Sequence, residues 1–301
     1  MYRMKMYDMI ILGQMMKDRI VLRNETVTAI GGAAYYAGFV AQRLGLRTAI
    51  ITKLAQADNA MLDEFRNAGI DVFPVYDTLT SSIELTYPTG QPDKRTAKFL
   101  SIANPFLLAD MPDIKASVVH LCPLLRGEIS LDIVKRFRSM GDIVSLDVQG
   151  FMRGAAEGGA MLLTDWEEKA EGLRGVDIVK VDDVEAEILT GTSDLYTAME
   201  MLASYGPKEI VLTYKHGVMA WAEGFVYESP FTSKRFRGRT GRGDTTIGAY
   251  LSRRLTHSPR DACRFAAALA SLKMEQHGPF CHARQDVENL LRKRGEVTHP
   301  A

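Results

Sequence analysis

Short apolar runs rich in valine and isoleucine alternate with longer stretches of helical periodicity along most of the chain. The strand-like runs occupy 9–12, 48–52, 70–76, 117–121, 143–148, 176–181 and 209–214. The helical stretches occupy 33–44, 59–68, 129–140, 184–189, 194–205, 244–255 and 259–276. Nearly uninterrupted apolar strands joined through helices are typical of a parallel sheet with both faces covered. The sequence therefore predicts a doubly wound α/β fold with a mostly parallel sheet flanked by helices.

Two segments interrupt this alternation. Residues 17–28 place Ile20 and Leu22 between polar neighbours, and residues 80–102 contain two alternating runs around a turn with proline and glycine. Alternation with period two predicts strands that are exposed on one face. We interpret 1–301 as a single domain in which these two segments are insertions that form a small β-flap lid.

The charge balance limits the partners. Lysine plus arginine and aspartate plus glutamate number 37 each, which gives a net charge of zero and predicts no nucleic-acid or membrane partner. No window contains the ~18 consecutive apolar residues of a membrane span. The three cysteines lie far apart, which argues against a disulfide framework. We expect a cytoplasmic protein that acts on a small molecule.

A glycine-rich turn precedes one helical stretch, in the sequence FRGRTGRGDTTIGAYLSRRL at 236–255. Glycines Gly241 and Gly243 let successive amides point at one anion at a helix N-terminus, and Asp244 follows at once. Such a site would hold a phosphoryl group beside a carboxylate that accepts a hydroxyl proton. We expect the helix start to keep the pKa of Asp244 low. The local pattern is equally compatible with a glycine-rich loop in which Asp244 only starts the helix.

Three segments occur in a recognisable order: IGGAAYYAGFVAQRLG at 30–45, VDDVEAEILTG at 181–191 and TGRGDTTIGAYL at 240–251. Together they resemble the ribokinase-like (PfkB) family of carbohydrate kinases over nearly the whole chain. The resemblance implies a ribokinase-like fold and the transfer of a phosphoryl group from ATP to a hydroxyl of a small sugar or polyol. It implies Mg²⁺ as a cofactor and is compatible with a monovalent cation.

The resemblance also implies roles for individual residues. Asp244 matches the catalytic base, and the anion hole matches Gly241, Arg242 and Gly243. Substrate contacts are predicted for Asp18, Gly31 and Gly32. A strand-end Asp-x-Gln stretch is similar to one in the family branch that includes myo-inositol kinases, and it predicts further substrate contacts for Asp147, Gln149 and Arg153. Metal binding is predicted for Asp182 and Glu185. Cofactor contacts are predicted for Thr213, Lys215, Gly217, Lys273 and the two glycines of the anion hole.

The sequence departs from the family pattern at three points. Arg242 replaces a small residue and either contacts phosphate or points to solvent, Asp182 replaces an asparagine, and the segment TYKHG is one residue short. A nucleoside kinase, stacking its base on Tyr35 or Tyr36, and a catalytically silent sensor are the alternative functions. The exposed face of the flap is compatible with a homodimer through the lid. The acceptor is not identified by these patterns.

Overall fold

The computed structural model describes residues 6–21, 25–87, 96–235, 237–238 and 240–296. Its strands are β1 (Met6–Leu12), β2 (Met16–Val21), β3 (Thr26–Gly31), β4 (Thr48–Ala55), β5 (Asp71–Asp77), β6 (Ser81–Thr86), β7 (Thr96–Ser101), β8 (Lys115–Leu121), β9 (Gly141–Asp147), β10 (Arg153–Ala155), β11 (Met161–Leu163), β12 (Ile178–Asp182), β13 (Glu209–Thr213), β14 (Gly217–Ala222) and β15 (Phe225–Pro230). Its helices are α1 (Ala33–Arg43), α2 (Asp63–Asn67), α3 (Leu131–Arg138), α4 (Gln149–Met152), α5 (Lys169–Leu173), α6 (Asp183–Thr190), α7 (Leu195–Ser204), α8 (Arg242–Arg254), α9 (Pro259–Lys273) and α10 (Arg284–Lys293).

Nine strands form the main sheet in the order β15-β14-β13-β12-β9-β8-β1-β4-β5. All pairs from β13 to β5 are parallel, whereas β13–β14 and β14–β15 are antiparallel. One apolar cluster packs helices α1, α8 and α9 on one face, and a second packs α3, α6 and α7 on the other. The predicted doubly wound sheet is confirmed. Within the described ranges, no helix is long and apolar enough to cross a membrane.

A second sheet of four strands, in the order β3-β2-β6-β7, forms the lid. Its strands overlap the two segments where the sequence predicts exposed strands, although β3 continues three residues beyond the first segment. Strand β2 pairs with β6 in parallel. The predicted turn between β6 and β7 falls largely on residues 88–95, which lie outside the described residues. Residues 22–24 of the predicted segment 17–28 also lie outside them.

Two hairpins were not predicted from the sequence. Strands β14 and β15 turn at Glu223 and Gly224, both with positive φ, and extend the edge of the main sheet. Strands β10 and β11 pair with each other as a small ribbon that follows the short helix α4. This ribbon lies beside the lid, where Lys98 and Ala160 form an isolated bridge.

Candidate active site

The mouth of helix α8 is shaped by close contact with α1. Gly241 is the residue before the helix and has φ 73°, a left-handed conformation that favours glycine. A Cβ atom on Gly241 would lie 2.3 Å from the ring of Tyr36, so the backbone rests directly on that ring. Gly241, Arg242, Gly243 and Asp244 are all partly exposed. The first turn of α8 is therefore partly accessible, as an anion site at a helix N-terminus requires.

Lys273 reinforces this mouth from the end of α9. Its buried ammonium donates to the carbonyl of Thr240 and lies 5.2 Å from the centre of the Tyr36 ring. Burial lowers the pKa of Lys273 to about 8, although Asp244 opposes the shift. The lid reaches the same loop, because the hydroxyl groups of Tyr87 and Thr240 lie 3.3 Å apart.

The expected low pKa of Asp244 is wrong. Burial raises its pKa above the ordinary aspartate value, against the pull of Lys180, Arg153 and Lys273. The helix dipole supplies only a partial positive charge, and its effect is limited to the first turn. Desolvation of the carboxylate therefore outweighs it. A raised pKa makes Asp244 a better proton acceptor than the sequence suggests.

Lys180 is a site residue that the sequence reading missed. It lies in β12, is 3% exposed, and its ammonium is 3.2 Å from Asp147 and 3.6 Å from Glu185. A Cβ atom on Gly243 would lie 3.3 Å from this ammonium, so Lys180 lies directly beneath the predicted anion hole. Its signal in the sequence is a lysine flanked by apolar residues near the end of the strand run 176–181.

Asp147 is bound from inside the protein. Its carboxylate is fully buried, accepts from the backbone N–H of Gln149 at 3.0 Å and pairs with Lys180. Burial raises its pKa to about 7, against the pull of Lys180. Asp147 therefore pairs with Lys180, and its contact with a substrate stays a prediction.

The two predicted metal ligands close the start of helix α6. Asp182 accepts from the backbone N–H of Glu185 at 2.8 Å, and Glu185 accepts from that of Asp182 at 2.9 Å. The other oxygen of Glu185 lies 3.3 Å from Arg153. Burial opposes ionisation of Glu185, but Lys180 and Arg153 outweigh it and lower its pKa. Burial and Glu185 raise the pKa of Asp182.

This donor set fits a loosely held magnesium ion. No group of three or more histidine, cysteine, aspartate or glutamate side chains within the described part of the chain could enclose a metal. Magnesium in phosphoryl-transfer enzymes is usually held by one or two carboxylates, water and the phosphates of the donor. Asp182 is the carboxylate that fits this role, because cations and an amide already surround Glu185.

The predicted acceptor side lies at the base of the lid. Asp18 lies in β2 and is 5% exposed, and a Cβ atom on Gly31 would lie 2.3 Å from its carboxylate. Gly32 has φ 103°, and a Cβ atom there would meet the carbonyl of Gln14 at 2.6 Å. Both glycines are therefore needed for the close approach of β2 to the start of α1.

Tyr36 joins the acceptor side to the anion hole. Burial raises its pKa well above the usual range, and the charges of Asp18 and Asp244 add to the shift. Both carboxylates therefore act on this one side chain. Tyr35 instead donates to Glu64 at 2.6 Å and packs on Phe39 and Phe65, away from the cleft.

The remaining predicted residues lie at the same edge of the sheet at different depths. Thr213 is buried and pairs in register with Asp182, Gly217 begins β14, and Lys215 between them is exposed. The side chain of Gln149 is buried in α4. The guanidinium of Arg242 lies 5.2 Å from the ring centre of Phe231 at the mouth of α8.

Comparison with known proteins agrees with this geometry. Residues 154–281 match the model of the pfkB family carbohydrate kinases. A 2-dehydro-3-deoxygalactonokinase from Haloferax volcanii is 34% identical over 98 residues. That match spans 32% of this chain and 31% of the length of the curated relative.

The solved structures that match over nearly their whole length include two pyrophosphate-dependent kinases. A pyrophosphate-dependent kinase of the ribokinase family in a sulfate complex is 35% identical, with a TM-score of 0.86 over 93% of this chain and 99% of that one. A pyrophosphate-dependent kinase of the same family, complexed with a pyrophosphate analog and myo-inositol, is 34% identical, with the same TM-score and coverage. The chain belongs to the ribokinase family of pfkB carbohydrate kinases, which the ordered motifs had predicted.

Proposed function

We propose that the protein transfers a phosphoryl group from pyrophosphate to a hydroxyl of a cyclic polyol of the inositol type. The observation that carries the proposal is the mouth of helix α8. There the open amides of residues 241–243 and the carboxylate of Asp244 share one helical turn above the buried ammonium of Lys180. Amides and cations suit a phosphoryl group, and the adjacent carboxylate suits the hydroxyl that attacks it.

The acceptor side favours a neutral polyol. Asp18 and Asp244 both act on Tyr36, and carboxylates accept hydrogen bonds from hydroxyl groups. A nucleoside acceptor fits less well, because Tyr35 is packed in the core and the Tyr36 ring is covered by Gly241. A relative with a similar chain was solved with myo-inositol, which supports a ring with several hydroxyls.

The donor side favours pyrophosphate, and ATP, which the family resemblance implies, is the second candidate. Residues 232–235, 237 and 238 run along the end of α9. The backbone N–H of Thr232 donates to the hydroxyl of Ser271 at 2.9 Å, and the backbone N–H of Arg237 donates to the carbonyl of Met274 at 2.9 Å. This packing covers the end of the helical segment 265–280, which the family resemblance would place beside the adenine of ATP. The similar solved structures are of pyrophosphate-dependent kinases.

The reaction follows from these positions. The acceptor hydroxyl oxygen forms a bond to one phosphorus of pyrophosphate, the bridging P–O bond breaks, and inorganic phosphate leaves. Asp244 aligns the hydroxyl and takes its proton. The amides of 241–243, with Lys180 below and Lys273 behind, stabilise the charge on the transferred group. A magnesium ion bound with the donor near Asp182 would neutralise phosphate charge.

A donor and acceptor panel tests this function. Purified protein is incubated with pyrophosphate or ATP, with magnesium, and with myo-inositol, ribose or adenosine, and the phosphorylated product is measured. We expect the highest kcat/KM with pyrophosphate and myo-inositol. Asp244→Asn should lower kcat by roughly a thousandfold with donor affinity nearly unchanged, because its role lies in the transition state. Turnover with ATP but not pyrophosphate would overturn the donor assignment, and binding without turnover on any acceptor would favour the sensor.

A further inference from the structure

The hairpin of strands β10 and β11, residues 153–163, touches the lid at its tip. Ala160 forms a β-bridge with Lys98 of lid strand β7. Gly159 has φ 85°, and a Cβ atom on it would lie 2.3 Å from the carbonyl oxygen of Phe99. The lid backbone therefore lies directly against the hairpin tip, at a distance that only glycine allows.

The other end of the same hairpin carries Arg153. This residue begins β10, and its guanidinium lies 3.3 Å from the buried carboxylate of Glu185. The base of the hairpin is held by Arg126, whose backbone N–H donates to the carbonyl of Arg153 at 2.8 Å and whose side chain donates to Thr164 at 2.5 Å. Fixed at its base, the ribbon connects the lid to the cations and carboxylates under the anion hole.

We propose that this hairpin couples the lid to the site, so that docking of β7 on Gly159 and Ala160 holds Arg153 against Glu185. The ribbon is short and paired along its length, which allows a displacement at the tip to reach its first residue. Gly159 acts here as a positioning residue, through Arg153. The coupling between lid and ion pair does not depend on the proposed function. Only the expected effect on catalysis, when Arg153 moves, rests on that function. Coupling between two sites is reciprocal, so loss of the ion pair must also loosen the lid.

Hydrogen exchange of the resting protein tests the coupling without any turnover. Arg153→Met should raise amide exchange in 96–101, although the substitution lies outside the lid. Gly159→Ala should raise exchange in the same strand, because the added methyl group displaces the lid backbone. Gly158→Ala is the matched control: Gly158 has φ 78°, and a Cβ atom there has no neighbour within 4 Å. Unchanged exchange in 96–101 of the Arg153→Met protein would overturn the proposal, whether or not the protein is a kinase.

A double-mutant cycle in kcat tests the path. Gly159→Ala alone should lower kcat at least about fivefold, whereas Gly158→Ala leaves it within about twofold of the wild type. In the Arg153→Met background, Gly159→Ala should change kcat by less than about twofold, since its effect passes through the residue already removed. If the effects of the two substitutions on kcat simply multiply in the double variant, Gly159 does not act through Arg153. Thermal unfolding of each variant identifies a loss that comes only from misfolding.

Discussion

Replacing Gly241 by alanine should destabilise the protein and remove donor binding. The residue has φ 73° and ψ 13°, and a left-handed conformation costs an L-residue about 1–2 kcal/mol. The new Cβ would lie 2.3 Å from the ring of Tyr36, and overpacking of this kind costs about 1–3 kcal/mol. Because alanine also restricts the unfolded chain, we expect a net loss of about 2–4 kcal/mol in the free energy of unfolding.

Gly191 provides a control with nearly the same backbone. It ends helix α6 with φ 74° and ψ 12°, and a Cβ atom there has no neighbour within 4 Å. Gly191→Ala should therefore lower the free energy of unfolding by about 1 kcal/mol through the left-handed conformation alone. Urea unfolding measures both losses. Provided that the two variants have the same m-value, the difference between their losses in unfolding free energy is the cost of the overlap with Tyr36.

The contact with Tyr36 is tested by a second substitution. In a Tyr36→Leu background, which removes the ring, Gly241→Ala should lose no more stability than Gly191→Ala does. Calorimetry with methylenediphosphonate, an uncleavable pyrophosphate analog, should detect binding to Gly191→Ala and none to Gly241→Ala. Equal stability losses for the two single variants, or unaltered analog binding by Gly241→Ala, would refute the view that the anion hole is seated on this ring.

Three further predictions follow from the charges and the lid. The ammonium of Lys273 loses its proton as pH rises through about 8, so the KM for the donor should rise above that pH. Lys273→Arg should shift the rise in KM to a pH higher by about one unit or more. An unshifted pH profile would exclude Lys273 as its cause. Lys180→Met leaves the buried carboxylates of Asp147 and Glu185 without their cation, so the free energy of unfolding in urea should fall by about 3–5 kcal/mol. Lys208→Met, at an exposed lysine, is the control and should lower it by less than about 1 kcal/mol. If the lid forms a homodimer, Leu100→Glu on its exposed face should shift the mass measured by light scattering to that of a monomer, and an unchanged mass would place any interface elsewhere.

The central sheet was predictable because burial dictates its sequence. Strands covered on both faces must be apolar throughout, and the helices between them must show a periodic apolar face. The hairpin of β14 and β15 was not predicted, because its first strand begins at Gly217, within the segment TYKHG that the family resemblance places near the donor phosphates. The adjacent pair Glu223 and Gly224, both with positive φ, is the turn signal that a search for hairpins would have used.

The grouping of the candidate anion hole and base at one helix start was predictable because their residues are contiguous in sequence. Gly241, Gly243 and Asp244 occupy one turn, so their spacing alone places amides and carboxylate together. The position of Lys180 was not predictable in this way. Its partner Asp147 lies 33 residues earlier on the neighbouring strand, and only the register of β9 and β12 brings the two together.

The pKa of Asp244 shows where local reasoning fails. A helix start is visible in the sequence and argues for a low pKa, whereas desolvation depends on the lid, α1 and β12, which the sequence does not locate. The structure reverses the sign, because burial is the larger effect. The ion pair of Arg153 with Glu185 at 3.3 Å was likewise not visible in the sequence, because only the fold brings the two residues together. The contact of Arg153 with a substrate stays a prediction.

The buried charges beneath the anion hole are better explained by catalysis than by stability. Exchange of a buried ion pair for packed apolar side chains is often neutral or stabilising, so a chain selected only for stability has no need of the pair between Lys180 and Asp147. Both side chains are less than a twentieth exposed, and each lies in a strand of the central sheet whose buried residues are mostly apolar. An ammonium fixed under Gly243 instead supplies positive charge that needs no reorganisation when a phosphoryl group arrives. Asp147 makes this possible, because without a carboxylate partner desolvation would lower the pKa of Lys180 and favour its neutral form.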